Sequence, residues 1–253
     1  MDLAHKILGT GEPLVILHGL FGTLDNWQTI AKRLSGRRQV ILVDLPNHGR
    51  SPHVDRVDYA MQAEALSDFL AGQWMHEVDV LGHSMGGKVA MRYALSYPDR
   101  VRKLIVVDMA PRAYERGHDE IFAAMRSLPL DRDLSRAELD DLLAQRIPQA
   151  AVRLFLLKNL AREREGGYRW KLNLNVLHRD YAQVLAGTEG PAWDGEALFI
   201  RGEKSDYLRD EDWPGVLRLF PGARLETIAS AGHWVHAERP EELLSAVEGF
   251  LAA

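Results

Sequence analysis

The sequence GHSMGG at residues 82–87 constrains this chain more than any other stretch. It joins a largely apolar segment at residues 78–81, VDVL, to a pattern typical of a helix, and it has the form Gly-x-Ser-x-Gly. A turn between strand and helix must reverse the backbone within a few residues, and glycine has no Cβ to clash where the two elements close on each other. We therefore expect a sharp turn that presents the Ser84 hydroxyl above the end of a strand.

Ser84 is the candidate nucleophile of this turn. Backbone N–H groups at the start of the following helix lie where the helix dipole favours negative charge, so the N–H of Met85 is a candidate donor to an oxyanion. A second donor is expected from the loop that follows the apolar run at residues 14–17. The N–H of Leu20 is predicted to supply it, with the N–H of Phe21 as the alternative.

Short apolar runs alternate with helical patterns over much of the chain. Runs that are apolar throughout are typical of strands buried on both faces of a parallel sheet. The alternation predicts an α/β fold with a mostly parallel sheet and helices on both faces. The predicted strands are residues 3–8 at an edge, 14–17, 40–43, 78–81, 103–107, 197–200 and 224–228.

This alternation stops after Pro111. From there to about residue 186 the patterns are mainly helical, and residues 168–176 fit either an extended segment or the start of a helix. We predict a helical cap insertion at residues 112–186, with the core domain formed by residues 1–111 and 187–253. The helices predicted in the insertion are residues 121–128, 137–147, 151–160 and 177–185.

A serine hydroxyl is a weak nucleophile until a neighbouring base takes its proton. Of the ten histidines, His233 lies between the last predicted strand and the last predicted helix. Sites in open parallel sheets form at the carboxyl ends of the strands, where the turn at Ser84 is also expected. His233 also completes the chain order Ser, Asp, His, and it is the predicted base.

Two carboxylates are candidates for orienting His233. Asp108 follows the strand predicted after the helix that Ser84 precedes, and Asp206 follows the next predicted core strand. Either position is suited to accept a hydrogen bond from the far nitrogen of the imidazole, which would fix its tautomer. The residues alone leave both aspartates open.

Composition excludes several other kinds of chemistry. The chain has no cysteine, which rules out disulfides, thiolate catalysis and zinc–thiolate sites. The histidines and carboxylates show no spacing typical of a metal site, and neither a Walker loop nor a Gly-x-Gly-x-x-Gly after a strand occurs. We therefore expect neither a metal nor an organic cofactor.

The charge and the apolar patterning also limit the expected partners. A net charge of −5 without a basic run argues against nucleic acid and anionic membranes. The first residues lack the basic and apolar segments of a signal peptide, and no window approaches 18 consecutive apolar residues. We expect a cytoplasmic protein that binds a small molecule and does not insert into membranes; its oligomeric state is not indicated.

Four motifs together resemble the α/β-hydrolase superfamily over almost the whole chain. They are HG at residues 18–19, DLPNHGRS at 44–51, GHSMGG at 82–87 and GH at 232–233. The longer segments HGLFG at 18–22, VDMAP at 107–111 and AGHWVHA at 231–237 look like the branch of small esterases that hydrolyse short acyl esters and acyl-thioesters such as acyl-CoA. The resemblance implies the α/β-hydrolase fold with a cap.

The same resemblance bears on the choice of acid. In much of the superfamily the acid stands three residues after the glycine that ends the later strand, a position that Ser205 occupies here, with Asp206 displaced by one. In the esterase branch the acid follows the strand after the helix that Ser84 precedes, which corresponds to Asp108. The resemblance thus implies Asp108 as the acid, with Ser205 supporting His233.

Together these features predict a serine carboxylesterase that acts on a small-molecule acyl ester or thioester. Alternatives with the same fold are a carbon–carbon bond hydrolase, a lyase of menaquinone synthesis, and a ligand receptor with little turnover. A buried cation over the site would favour the first two, with Arg112, Arg153 and Arg179 as candidates. The residues predicted to line the acyl pocket are Phe21, Phe122, Met125, Phe155 and Trp234.

Overall fold

The computed structural model describes residues 1–252. Nine strands lie in this part of the chain, and seven of them form one sheet. The strands are β1 (His5–Leu8), β2 (Pro13–Leu17), β3 (Gln39–Val43), β4 (Val78–His83), β5 (Val101–Val107), β6 (Leu160–Arg162), β7 (Tyr168–Trp170), β8 (Glu196–Gly202) and β9 (Ala223–Ile228).

The large sheet has the strand order β1-β3-β2-β4-β5-β8-β9. Strand β1 pairs antiparallel with β3 at one edge, and every other pairing in this sheet is parallel. The parallel strands therefore end at a common edge, where the residues that follow β2, β4, β5, β8 and β9 meet. All seven predicted core strands are present.

Helices connect these strands and cover both faces of the sheet. The helices are α1 (Gln28–Leu34), α2 (Tyr59–Gly72), α3 (Met85–Ser96), α4 (Asp119–Ser127), α5 (Arg136–Ala144), α6 (Ala150–Leu157), α7 (Leu174–Arg179), α8 (Tyr181–Leu185), α9 (Trp213–Leu219), α10 (Val235–Glu238) and α11 (Pro240–Ala252).

The continuous apolar runs account for this layering. In β2, Val15 and Leu17 pack on one face of the sheet with α2, α3 and α9, while Leu14 and Ile16 pack on the other face with α1 and α11. Side chains alternate across a strand, so a strand covered on both faces needs apolar residues at every position. Burial of each such side chain stabilises the fold by about 1.5–3 kcal/mol.

The segment 112–186, called the insert below, lies between two strands that are neighbours in the sheet, β5 and β8. It contains helices α4 to α8 and the two-stranded sheet β6–β7. Within residues 1–252, none of the helices combines the length and the apolar character that a membrane span needs.

Two expectations for the insert are wrong in detail. The helix predicted at 151–160 ends at Leu157, and Leu160–Arg162 pairs with Tyr168–Trp170 as a hairpin. Gly166 and Gly167 make this reversal because both adopt positive φ, at 101° and 74°. The helix predicted at 177–185 is two helices, α7 and α8, that meet at Asp180. The Asp180 carboxylate accepts a hydrogen bond from the Val57 N–H, a tertiary contact that periodicity does not reveal.

Candidate active site

Ser84 occupies the tight turn between β4 and α3. Its φ is 53°, a value that is uncommon for a residue with a side chain. A Cβ on Gly82 would overlap the Gly86 backbone, and a Cβ on Gly86 would overlap the carbonyl of Leu17. The two glycines therefore allow strand and helix to close up, which places the Ser84 side chain on the wall of a cavity.

A continuous hydrogen-bonded chain joins Ser84 to a buried acid. His233 Nε2 lies 3.0 Å from Ser84 Oγ, and His233 Nδ1 lies 2.7 Å from Asp108 Oδ2. Asp108 is 0% exposed, so it can act only on groups that the fold brings to it. Because a carboxylate accepts, Nδ1 carries the proton and Nε2 is free to accept one from the serine.

Further donors hold the Asp108 carboxylate. The Gly202 N–H donates to Oδ1 at 3.0 Å, and the Ser205 hydroxyl donates to Oδ2. Ser205 therefore bonds to the carboxylate that accepts from His233 Nδ1, so any support that it gives to His233 acts through Asp108. The reason is topological, since β8 lies beside β5 and the residues after Gly202 pass over the end of β5.

The other candidate acid, Asp206, borders the same cavity but forms no hydrogen bond with His233 in residues 1–252. The Asp206 side chain is 86% exposed and forms an ion pair with Arg209 at 3.4 Å. Its carboxylate points to solvent because the loop that begins at Ser205 turns Ser205 inward to Asp108. Of the two aspartates that the sequence left open, the structure brings only Asp108 into contact with the imidazole.

Two aromatic side chains outside the predicted site residues fix the position of His233. The Tyr207 ring stacks on the imidazole with a centroid distance of 3.8 Å and an interplanar angle of 19°. His83 Nε2 donates to the His233 carbonyl at 2.8 Å, and burial lowers the pKa of His83 well below its ordinary value. No motif marks Tyr207, because its contact depends on the path of the loop after β8.

The turn Gly19–Gly22 lies beside Ser84. The Gly22 N–H donates to the Gly19 carbonyl at 2.9 Å, and Phe21 within the turn has a φ of 59°. A Cβ on Gly19 would lie 3.1 Å from the Ser84 Cβ, which shows how closely the turn approaches. Leu20, Phe21 and Met85 all border the cavity with Ser84, as the predicted oxyanion donors must.

A buried histidine supports this turn from behind. The Leu45 N–H donates to His18 Nε2 at 3.0 Å, and burial lowers the pKa of His18 to about 4. The Asp44 carboxylate accepts from the Leu24 and Arg50 N–H groups at 2.7 and 2.9 Å. These residues anchor two loops to each other, and none of them reaches the Ser84 hydroxyl.

The cavity at Ser84 has a volume of about 880 Å³ and lies between the core and the insert. Phe21, Phe155 and Trp234 line it as predicted, and the last two rings pack at 5.4 Å. The other two predicted pocket residues are wrong: Phe122 and Met125 are 0% exposed, because α4 packs them against neighbouring side chains, which for Phe122 are Phe21, His178 and Tyr181. Lining residues not foreseen from the sequence are Tyr59, Met109, Tyr114, His118, Ile121, Val152 and Tyr181.

Each arginine considered as a cation over the site is paired with a carboxylate. Arg112 lies 2.8 Å from Asp212, and it is the one of the three that borders the cavity. Arg153 pairs with Asp140 at 2.9 Å, and Arg179 with both Asp55 and Asp180. None of the three presents an uncompensated positive charge to Ser84.

Lys88 is a fully buried lysine below the cavity. Its Nζ donates to the carbonyls of Pro111, Arg112 and Ala186, at 3.4 Å for Pro111 and 2.7 Å for Ala186. These carbonyls belong to the two ends of the insert, while Lys88 is in α3, one turn after Ser84. Burial lowers the pKa of Lys88 to about 7.

Known proteins resemble this chain in both sequence and structure. A family model described as the α/β hydrolase fold matches residues 12–240. Esterase YbfF of Escherichia coli (strain K12) is 39% identical over 241 residues, which cover 95% of this chain and 93% of that protein. The sn-1-specific diacylglycerol lipase ABHD11 of Xenopus laevis is 38% identical over 250 residues, with 95% and 80% covered. The solved structure of a marine microorganism esterase is 41% identical, with a TM-score of 0.96 and 98% and 99% covered.

Proposed function

This chain belongs to the α/β-hydrolase family, in its esterase branch, and on that premise we propose that it is a serine carboxylesterase with the triad Ser84, His233 and Asp108. The predicted fold and superfamily are confirmed, as is a hydrolase that acts on esters. The observation that carries the proposed triad is its hydrogen-bonded chain, with separations of 3.0 and 2.7 Å.

In the proposed mechanism the Ser84 hydroxyl attacks the acyl carbonyl while His233 Nε2 takes its proton. Asp108 accepts a hydrogen bond from the Nδ1–H group of His233 and stabilises the imidazolium. The N–H groups of Met85 and Leu20 stabilise the oxyanion, with Phe21 as the alternative to Leu20. His233 then gives the proton to the leaving alcohol or thiol, and water hydrolyses the acyl-enzyme with His233 again acting as base.

The cavity supports small to medium acyl chains as substrates. Its volume of about 880 Å³ suits a ligand of drug-like size, and Phe155 and Trp234 provide an apolar wall. The names of the relatives agree with ester chemistry, because one is an esterase and another a lipase of diacylglycerol. Acyl-CoA thioesters are a second substrate class, which the resemblance to the branch of small esterases that hydrolyse acyl esters and acyl-thioesters supports.

We also propose that the insert, residues 112–186, acts as a cap over residues 1–111 and 187–253. Ile121 of α4, Phe155 of α6 and Tyr181 of α8 line the cavity, so three insert helices border the site. Only 9% of the Ser84 surface is exposed under this cover. Such cover would exclude water while the acyl-enzyme forms.

The pairing of Arg112, Arg153 and Arg179 with carboxylates disfavours the carbon–carbon bond hydrolase and lyase alternatives. Those reactions act on substrates with carboxylates, which an uncompensated cation would bind. A receptor function predicts binding without turnover, so a kinetic measurement separates it from the esterase.

The test is steady-state hydrolysis of p-nitrophenyl esters from acetate to decanoate, and of acyl-CoA of the same lengths. We expect turnover by the wild type, background rates for Ser84→Ala, and a chain-length optimum that reports the depth of the pocket. Equal rates for the two proteins would contradict the assignment of Ser84. Tight binding of an ester without turnover by the wild type would favour a receptor.

A further inference from the structure

The turn Gly19–Gly22, which carries the candidate oxyanion donors Leu20 and Phe21, contains a strained residue. Phe21 has a φ of 59°, in the left-handed region that residues with a side chain seldom adopt. Strain of this kind persists only where the surrounding structure fixes it, and it concentrates at functional sites. The contacts that hold Phe21 therefore determine the direction of the N–H groups in the turn.

Two side chains from the insert hold Phe21 in place. The side chain of Asn159, which lies between α6 and β6, donates from Nδ2 to the Phe21 carbonyl at 2.6 Å. Because a carbonyl only accepts, the atom at this distance is the amide nitrogen. The ring of Phe122, in α4, packs edge-on against the Phe21 ring at 5.0 Å. Phe21 therefore belongs to the core, whereas the two side chains that hold it, Asn159 and Phe122, belong to the insert.

The surroundings of Asn159 indicate that the hydrogen bond to the Phe21 carbonyl is the main role of its side-chain amide. Asn159 is 2% exposed, and within residues 1–252 its Oδ1 has no hydrogen-bond partner. A buried acceptor without a partner costs free energy that an apolar side chain would avoid. The bond fixes one side of the Phe21–Gly22 peptide, and the Gly22 N–H, bonded to the Gly19 carbonyl, fixes the other.

We propose that Asn159 is a positioning residue that holds the turn Gly19–Gly22 in the conformation that binds the oxyanion. The inference rests on the proposed function, since it needs the N–H of Leu20 or Phe21 to act in catalysis. It makes the oxyanion hole depend on the seating of the insert against the core. A substrate that shifts the insert relative to the core therefore changes transition-state stabilisation as well as access to Ser84.

The test replaces the amide with an apolar group of similar shape, Asn159→Leu. We expect kcat for the preferred p-nitrophenyl ester to fall about 10- to 100-fold, because displacement of one oxyanion donor weakens transition-state binding. KM should stay within about threefold, because the apolar wall of the pocket is unchanged. Thermal unfolding shows whether the variant is folded, and Asn159→Ser, too short to reach Phe21, repeats the test if the leucine variant unfolds.

Asn173→Leu is the matched control. Asn173 also lies in the insert, and its Nδ2 donates to core atoms, Asn47 Oδ1 at 3.0 Å and the Val54 carbonyl at 3.2 Å. It joins insert and core as Asn159 does, but it does not contact the turn Gly19–Gly22. If Asn159 only helps the insert to dock, both variants should lose activity equally; we expect kcat of Asn173→Leu to stay within about threefold of the wild type.

Inhibition separates an oxyanion effect from a general loss of structure. Hexylboronic acid adds to a serine hydroxyl and places an oxygen where the oxyanion forms, whereas 1-hexanol only fills the apolar pocket. For Asn159→Leu we expect the boronic acid to bind weaker by the same factor as the loss in kcat, with hexanol binding unchanged.

Different results would contradict the role of Asn159 and the proposed function. Wild-type kcat and boronic acid affinity in folded Asn159→Leu would overturn the role of Asn159, as would an equal loss in Asn173→Leu. Boronic acid binding that persists in Ser84→Ala would instead contradict the proposed function.

Discussion

Asp108 shows how one residue decides the arrangement of the site. Its φ is 53°, its N–H donates to the Ile200 carbonyl at 2.7 Å, and its carboxylate contacts His233, Ser205 and the Gly202 N–H. The left-handed backbone turns the side chain back over the end of the sheet as soon as β5 ends. Aspartate and asparagine tolerate this conformation better than most residues.

Asp108→Asn therefore keeps the backbone and removes the charge. We expect kcat for p-nitrophenyl esters to fall about 10³- to 10⁴-fold, because an amide stabilises the wrong tautomer of His233 and does not stabilise its cation. Asp206→Asn makes the same chemical change at the exposed, Arg209-paired position and should keep kcat within about threefold. A larger loss in Asp206→Asn than in Asp108→Asn would reverse the choice of acid.

The sequence predicts the role of an individual residue where that residue belongs to a local motif. Ser84 and His233 lie in short segments whose neighbours suggest their roles, and the structure places them 3.0 Å apart between Nε2 and Oγ. Tyr207 and Asn159 could not be found in this way. Their contacts join residues 26 and 138 positions apart, and no pattern along the chain reports such distances.

At the scale of elements, the insert is attached to the core by a buried lysine. Lys88 in α3 donates to carbonyls of Pro111 and Arg112, where the insert begins, and of Ala186, where it ends. The Tyr59 and Tyr114 rings lie 5.8 and 5.1 Å from its Nζ. One side chain thus satisfies the backbone at both junctions, directly below the cavity.

Lys88→Met should loosen these junctions, because it leaves buried carbonyls without donors, at a cost of about 1–3 kcal/mol each. We expect faster hydrogen exchange in the backbone around residues 111–114 and 185–188, with little change in β2 and β4. Lys103→Met is the control, since Lys103 is also a buried lysine but donates to the Phe250 carbonyl in α11. Exchange at the junctions that stays at the wild-type rate in Lys88→Met would contradict this role.

Secondary structure was predicted best where both faces of an element are buried. The five central strands are largely apolar, so periodicity and composition agree on them. In the insert the elements are short and half-exposed, and tertiary contacts decide their ends. Residues 168–176, which the pattern left undecided, are a strand, Tyr168–Trp170, and the start of α7 at Leu174.

For the whole molecule, buried histidines make stability depend on pH. Burial lowers the pKa of His18 to about 4 and of His48 to about 3, so the folded protein keeps both neutral where the unfolded chain protonates them. Above about pH 6.5 both states keep these histidines neutral, and stability is not reduced. As the pH falls below 6.5, the unfolded chain binds protons that the folded protein does not. The free energy of unfolding is therefore lower by about 2 kcal/mol for each histidine at pH 5. Asp79 acts in the opposite sense, because burial raises its pKa to about 6, but it offsets only about 1 kcal/mol.

We therefore expect the free energy of unfolding in urea to be lower at pH 5.0 than at pH 7.5 by a few kcal/mol. His48→Gln should flatten this dependence whatever its stability at pH 7.5, since it removes one of the titrating groups. A wild-type protein that is equally stable, or more stable, at pH 5.0 would show that the histidines are not the dominant groups.

We expect Ser84, activated by His233, to form a covalent acyl intermediate. The most direct measurement is mass spectrometry after incubation with an alkyl p-nitrophenyl phosphonate, in which the serine oxygen bonds to phosphorus and p-nitrophenolate leaves. We predict one adduct per chain, located at Ser84, with one equivalent of p-nitrophenolate released, and no adduct in Ser84→Ala. Ester hydrolysis by a protein that forms no adduct, or forms it at another residue, would contradict the account.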